Sequence, residues 1–205
     1  MDVPVLYLIR HGRTDLNQNN RFRGNKDVPL SSGGRSDVEE AAEFLKTRHA
    51  DPSFIVTSDR KRAVESSQIL KKSFDAPINE VHYLRALDVG KFSGELRSKE
   101  NVDELQTYLD NPDTLIPGGE SLNDFRDRVV PVLEECFELA QKEGLGFVVC
   151  HSSIIHEVGT QLFNDHKALV VEPGGIVEVG FENGEPFAKT IFKKHESAGN
   201  TASIS

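Results

Sequence analysis

The sequence predicts an α/β fold, a three-layer α/β/α sandwich around a mostly parallel central sheet. Three short runs, at 5–9, 54–56 and 147–150, are apolar throughout instead of alternating with polar residues. That is the pattern of strands buried on both faces. Each run ends in a polar turn, and each turn leads toward residues with apolar side chains at helical spacing. Strands alternating with helices build a sheet covered on both sides, and in such sheets ligands bind beyond the strand C-termini.

The first run ends at Arg10-His11-Gly12-Arg13-Thr14. A loop through Leu30, Ser31, Ser32, Gly33 and Gly34 leads to a helix over 35–49. There Val38, Ala41, Ala42 and Leu45 share a face, and Lys46, Arg48 and His49 suit the negative C-terminal end. After 54–56, Thr57, Ser58 and Asp59 are good N-cap residues for a helix bearing Ala63, Ile69 and Leu70. A further strand is expected within 77–84. The stretch 88–120 is the least regular, with a helix at 101–109 and Pro112 and Pro117 behind it, and reads as an excursion over one face. A long helix follows Ser121, with Phe125, Val129, Leu133 and Cys136 on its apolar side. Pro131 should kink or break it, and Gly144 should close it. The run 147–150 is followed by a helix at 152–163, then by a hairpin of 176–181 and 187–192 turned at Asn183-Gly184. The tail 195–205 is small and polar and is expected to be disordered, leaving 1–194 as one domain without internal repeats.

With 205 residues, 37% hydrophobic and 28% charged, the chain can bury a core without disulfide or metal staples. A net charge of −9 argues against nucleic acid or anionic membrane as partners. An acidic protein that handles an anionic ligand must concentrate its positive charge locally. Cys136 and Cys150 read as small core residues, since no CxxC or HxxxH pair accompanies them. The opening apolar run is too short for a signal h-region or a membrane span, so a reducing cytoplasm is the expected compartment.

The three apolar runs deliver chemistry to one sheet edge if they are parallel neighbours. The first brings Arg10, His11, Gly12 and Arg13, then Asn17 and Arg21; the second brings Ser58 to Ala63 with Arg62; the third brings His151 and Ser152. A neutral imidazole nitrogen is a competent nucleophile toward phosphorus, and guanidinium forks bind non-bridging oxygens and stabilise the charge that moves. A helix N-terminus adds oriented N–H groups, and Gly12 permits close backbone approach. Each residue alone has an ordinary explanation as a turn or a solvated side chain. Their common placement, just after a short buried strand, is what points to one phosphoryl-binding pocket.

At these residues the sequence resembles the histidine phosphatase superfamily, the phosphoglycerate mutase-like enzymes. The RHGxTxxN signature reads Arg10-His11-Gly12-Arg13-Thr14-Asp15-Leu16-Asn17. Arg21-Phe22-Arg23-Gly24 and Asp27-Val28-Pro29-Leu30-Ser31-Ser32-Gly33-Gly34 are similar to the family's R-x-x-G and D-x-P-L-[ST]-x-x-G patterns. Further along, Ser58 to Ala63, Pro117-Gly118-Gly119-Glu120-Ser121 and Val148 to Ser152 resemble three more of its elements, in order. The resemblance implies a phosphoglycerate mutase-like fold, His11 as the phosphorylated nucleophile, and Arg10, Arg62 and His151 gripping the phosphoryl group. It implies that Asn17 and Arg21 line the pocket, that 88–120 covers it, and that no metal or cofactor takes part.

One departure bears on mechanism. Where family members carry a glutamate as proton donor, this chain has Ala86, within Leu84-Arg85-Ala86-Leu87-Asp88-Val89-Gly90. Asp88 can replace the acid if the loop bends differently; Glu120 is a second candidate; the third reading is that the acid is absent. Ser152 stands where glycine is usual and can cap the following helix while its N–H faces the pocket, which puts it with Asn17, Arg21 and Gly12 among the expected substrate-binding residues. Arg13, Arg23 and Arg60 make the mouth more cationic than the minimal pattern, which suits a small phosphate ester with more than one anionic group or, equally, a solvated surface. The function expected is a phosphomonoesterase acting through phosphohistidine on His11. The alternatives are a phosphoglycerate mutase-type phosphotransferase and a catalytically impaired protein that binds phosphate esters. The mutase reading is weakened by the short chain and the absence of tryptophan.

Overall fold

A computed structural model describes residues 4–163 and 169–193. Its elements are β1 (Pro4–Arg10), α1 (Asp15–Gln18), α2 (Ser32–Thr47), β2 (Phe54–Ser58), α3 (Lys61–Lys71), β3 (Ile78–Val81), α4 (Lys99–Leu109), α5 (Leu122–Glu143), β4 (Gly146–Cys150), α6 (Ser152–Phe163), β5 (Ile176–Glu182) and β6 (Glu185–Phe192). They form one six-stranded sheet in the order β3-β2-β4-β1-β5-β6. The pairings among β1, β2, β3 and β4 are parallel, while β5 runs antiparallel to β1 and β6 antiparallel to β5.

Alternation along the central strands divides the core into two layers. Tyr7, Ile9, Ile55, Phe147 and Val149 pack against Val38, Ala41 and Leu45 of α2 and Ala63 and Leu70 of α3. Leu6, Leu8, Val56, Val148 and Cys150 face the other way, onto Phe125, Val129 and Leu133 of α5 and Ile154 and Ile155 of α6. Both faces of β2 and β4 are therefore apolar, which is why these strands read as unbroken hydrophobic runs.

Several boundaries differ from the expected ones for local reasons. Helix α2 begins at Ser32 because Ser31 caps it, its Oγ accepting from the Gly34 N–H at 3.1 Å. The strand expected within 77–84 is confined to Ile78–Val81 at the sheet edge, and a turn of 3₁₀ helix, His82–Leu84, follows it. Pro131 does not break α5. It and Asp127, whose carbonyl loses its helical donor, both lie on the exposed face, where water can satisfy that carbonyl. The excursion is anchored by Val89, Phe92, Leu105 and Ile116, and Leu87 just before it, all buried in the α5–α6 layer. Cys136 and Cys150 are buried free thiols, pushed by burial up to about 12. The tail expectation, 195–205, lies outside the described residues. Among the described residues no helix is long and apolar enough to cross a membrane.

Candidate active site

Strand β4 lies between β1 and β2, with Arg10 level with Cys150 and Thr57 level with Val149. The turns that follow these three strands consequently open side by side. Arg62 Nε donates to His11 Nε2 at 3.2 Å, and the rings of His11 and His151 stand 5.1 Å apart between centroids. His11 and Arg62 are completely buried, and His151 is 1% exposed.

The tautomer of His11 follows from its neighbours. Its Nδ1 lies 2.7 Å from the Gly12 carbonyl oxygen, which can only accept, so Nδ1 carries the proton. Nε2 keeps its lone pair and receives the Arg62 N–H. Burial, reinforced by the charges of Arg62, His151, Arg23 and Arg10, holds this imidazole well below its ordinary pKa. A neutral imidazole with an unprotonated ε nitrogen is the form that attacks phosphorus. Burial also depresses His151, followed by the charges of Arg62, Arg23, Arg10 and Arg128. Its Nε2 shares a 2.9 Å hydrogen bond with Ser58 Oγ, at the end of β2. Its Nδ1 and Arg10 Nε are buried without a hydrogen-bond partner among the described residues.

Positive charge is concentrated around these rings. Arg10 Nη1 donates to the Val171 carbonyl at 2.5 Å, and burial lowers its guanidinium to about 10. Arg62 donates from Nη1 to Lys26 O at 2.7 Å and from Nη2 to Gly24 O at 3.0 Å; burial lowers it to about 10. Burial, then the charges of Arg10, Arg62 and Arg97, brings Arg23 to about 9. All remain cationic at neutral pH.

The other residues singled out in the sequence have more structural surroundings. Gly12 donates its N–H to Ser66 Oγ at 3.3 Å, and a Cβ there would stand 2.0 Å from Gly34 O; the close approach that demands glycine is to Gly34. Asn17 Oδ1 accepts from Thr14 N and Oγ1 at 3.0 and 2.9 Å, closing the first turn of α1. Arg21 Nη1 donates to Gly94 O at 2.7 Å, tying the segment after α1 to the excursion. Ser152 is the first residue of α6, while the preceding His151 carbonyl accepts from Ile154 and Ile155, so His151 and not Ser152 occupies the cap. Arg13 does not add to the cationic mouth: it is held by Asp37, whose two oxygens accept from its Nε and Nη2 at 2.8 Å each.

Both candidate proton donors take part in holding the loop. Asp88 accepts from Asn25 Nδ2 and from the Gly90 N–H, each at 3.1 Å. Glu120 accepts from the Asp88 N–H at 2.8 Å and is gripped by Arg128, at 2.8 Å from Nε and 2.6 Å from Nη2. Arg128 also donates to the carbonyls of Tyr83, Arg85 and Ala86, so one guanidinium from α5 fastens the segment that carries position 86. Ser153 adds a second fastening, its Oγ accepting from the Leu87 N–H at 3.1 Å. The sequence reading missed Arg128, Ser153 and Arg97, because their partners are distant in the chain. Among the described residues, no group of three or more His, Cys, Asp or Glu side chains could hold a metal ion.

The model of the histidine phosphatase superfamily (branch 1) matches residues 6–193. A 2,3-bisphosphoglycerate-dependent phosphoglycerate mutase of Cytophaga hutchinsonii is 29% identical over 90% of this chain and 86% of its own length. The probable phosphoglycerate mutase GpmB of Salmonella paratyphi C is 31% identical over 66% of this chain and 64% of its own length, so the chain spans just under two thirds of that relative. Among solved structures, phosphoglycerate mutase from Bacillus anthracis superposes with a TM-score of 0.76 at 23% identity, over 91% of each chain. A mycobacterial glucosyl-3-phosphoglycerate phosphatase complexed with VO3 does so with 0.74 at 24%, over 90% of this chain and 96% of the other. These structural likenesses share the fold.

Proposed function

Because the chain belongs to the histidine phosphatase superfamily (branch 1), we propose that it is a phosphomonoesterase that carries the phosphoryl group on His11 and has no carboxylic acid at the usual donor position. The observation that carries this reading is the state of His11: neutral, anchored through Nδ1–H to Gly12 O, with Nε2 facing the Arg62 guanidinium.

In the first step Nε2 attacks phosphorus, the P–N bond forms and the P–O ester bond breaks. Arg62 Nε–H turns from Nε2 to a non-bridging oxygen, and Arg10 and His151 supply further donors. The leaving oxygen departs with the electron pair and needs a proton unless it is a weak base. In the second step water attacks the phosphohistidine, the P–N bond breaks, and inorganic phosphate and His11 are released. Ala86 cannot donate a proton, and Asp88 and Glu120 are engaged in the loop. Loss of a general acid costs about 10²–10⁴-fold on poor leaving groups.

A mutase-type transfer is the second reading, favoured by the name of the Cytophaga hutchinsonii relative and by the complete burial of His11, since a phosphoenzyme must be kept from water to serve an organic acceptor. Ala86 weighs against it, because both half-reactions then involve an alkyl oxygen that must be protonated or deprotonated.

The test compares aryl and alkyl phosphates for the wild type, His11→Ala and Ala86→Glu. Aryl turnover that disappears in His11→Ala, together with alkyl turnover that rises in Ala86→Glu, supports the proposal. Exchange between phosphoglycerates faster than hydrolysis supports the mutase; phosphate-ester binding without turnover identifies a binding protein. Unchanged alkyl turnover in Ala86→Glu points to an acid elsewhere, with Asp88→Asn as the next variant.

A further inference from the structure

The stripe that α2 turns into the core reads Gly34, Asp37, Val38, Ala41, Ala42 and Leu45. Asp37 interrupts it with a completely buried carboxylate where helical spacing calls for an apolar side chain. Its ion pair with Arg13 is one explanation. The Arg13 side chain is 38% exposed, however, so water can serve it, and exchanging a buried ion pair for well-packed apolar groups is often neutral or stabilising. The pair alone does not account for a charge at this place.

A fuller account lies in the backbone of 11–13. His11 N donates to Cys150 O at 3.1 Å, and His11 O accepts from Gly174 N at 3.3 Å. Gly12 N donates to Ser66 Oγ at 3.3 Å, and Arg13 O accepts from Ser31 N at 2.9 Å and Ser31 Oγ at 3.2 Å. These partners are all neutral. The remaining groups, Gly12 O and the Arg13 N–H, are the two ends of one peptide unit. Gly12 O accepts the His11 Nδ1–H at 2.7 Å, and the Arg13 N–H goes to Asp37 Oδ2 at 3.0 Å. Within 11–13, the peptide that holds the imidazole is the one given a charged partner.

Hydrogen bonds at the two ends of a peptide reinforce each other. An N–H that donates to an anion leaves more negative charge on the carbonyl oxygen, which then holds the imidazole N–H more firmly. A hydroxyl or an amide oxygen in place of Asp37 would satisfy the Arg13 N–H without that gain. Packing takes the slack out of the same contacts. A Cβ on Gly34 would stand 1.9 Å from Arg13 O, and one on Gly174 would stand 2.8 Å from Asp37 O. The peptide and the helical turn that carries Asp37 are therefore closed in from two sides.

We infer that Asp37 is a positioning residue for His11, acting through the Gly12–Arg13 peptide to keep the proton on Nδ1 and to offset the positive charge that the ring gains in phosphoryl transfer. This rests on the reading of His11 as the residue that is phosphorylated. When the Nε2 lone pair forms the N–P bond and the ester bond breaks toward oxygen, the ring is still protonated at Nδ1 and becomes cationic. The polarised Gly12 carbonyl stabilises that charge. Because the proton stays on Nδ1, cleavage of the N–P bond by water returns the electron pair to Nε2 and releases a neutral imidazole. A ring that had lost the proton would have to leave phosphorus as an anion.

The test pairs a spectroscopic signature of the resting protein with the rate of the first chemical step. The His11 Nδ1–H resonance is followed by NMR, and single-turnover phosphorylation of His11 by an aryl phosphate is followed by rapid quench. The proteins are the wild type, Asp37→Asn, Arg13→Lys and the double variant Asp37→Asn/Arg13→Gln. Asp37→Asn keeps an acceptor for the Arg13 N–H and removes the charge; the double variant neutralises both partners, so no guanidinium is stranded. In both Asn variants the resonance should move upfield. Phosphorylation should slow about tenfold, the lower end for an outer partner of a reactive imidazole, while affinity for inorganic phosphate is retained. Arg13→Lys breaks the two-pronged pairing but keeps the charge and the peptide N–H, and should keep the wild-type resonance. An unmoved resonance in the Asn variants overturns the inference, as does an equal shift in Arg13→Lys, or a shift with the phosphorylation rate unchanged. No phosphorylation in the wild type, with a resonance that still moves in Asp37→Asn, would strike the hydrolase reading while upholding the link from Asp37 to His11.

Discussion

Acidification from pH 7.5 to 5.5 should destabilise this protein through His11 and His151. Both imidazoles are buried and held well below their ordinary pKa, burial being the larger cause and the surrounding guanidinium groups the next. In the unfolded chain each titrates near 6.5. As the pH falls through 6.5 the unfolded state takes up protons that the folded state refuses, so stability declines with falling pH. The decline ends only below the folded-state values. The loss from each imidazole is bounded by the protonation of the unfolded chain, RT ln 11 at pH 5.5, on the order of 1 kcal/mol. The assay is urea unfolding at several pH values for the wild type, His11→Asn and His151→Asn. Each substitution lowers stability at all pH values by removing native contacts, but it should flatten the difference between pH 7.5 and 5.5, by on the order of 1 kcal/mol. Wild type and variants sharing one pH dependence would show that these two imidazoles do not link folding to pH, as would imidazoles that titrate near 6.5 in the folded protein by NMR.

Two further perturbations test the scaffold. Arg128→Met removes a guanidinium whose side chain is 19% exposed, takes that donor from three loop carbonyls and leaves Glu120 without its cation, held by the Asp88 N–H alone, so it should cost about 2–3 kcal/mol and speed amide exchange over 86–90. Adding Glu120→Leu should recover part of that stability, and its failure to do so would mean that the carboxylate was not the group stranded. Gly12→Ala places a Cβ 2.0 Å from Gly34 O, a backbone atom of α2 that cannot turn aside. A loss of about 1–3 kcal/mol in urea unfolding, with a fall in aryl phosphate turnover as Gly12 O shifts under His11 Nδ1, is expected; wild-type stability would show that α2 yields easily.

The parts of this molecule that were legible in the sequence are those written in short-range pattern. Unbroken apolar runs gave β1, β2 and β4, because both faces of those strands are buried, and the turn after each carried His11, Arg62 and His151 into one place. What escaped the reading depends on contacts between residues far apart in the chain. Nothing local to Arg128 says that it clasps the carbonyls of Tyr83, Arg85 and Ala86, and nothing local to Asp37 says that it neutralises Arg13. Gly12 was noted for the right property, a missing Cβ, but the partner that needs the room is Gly34. Nothing local to Arg97 says that 94–97 lies along 20–22 and sets its guanidinium 4.6 Å from the centroid of the Phe22 ring.

In the proposed reaction His11 Nε2 becomes covalently bonded to phosphorus. Enzyme mixed with an aryl phosphate, quenched in alkali within the first turnovers and digested, should yield one phosphorylated peptide, modified at His11 and absent from His11→Ala. The phosphoryl group should survive alkali and be lost in acid, as a P–N bond requires. Aryl phosphate turnover with no phosphoryl group on that peptide, or with the group on another residue, would contradict the account.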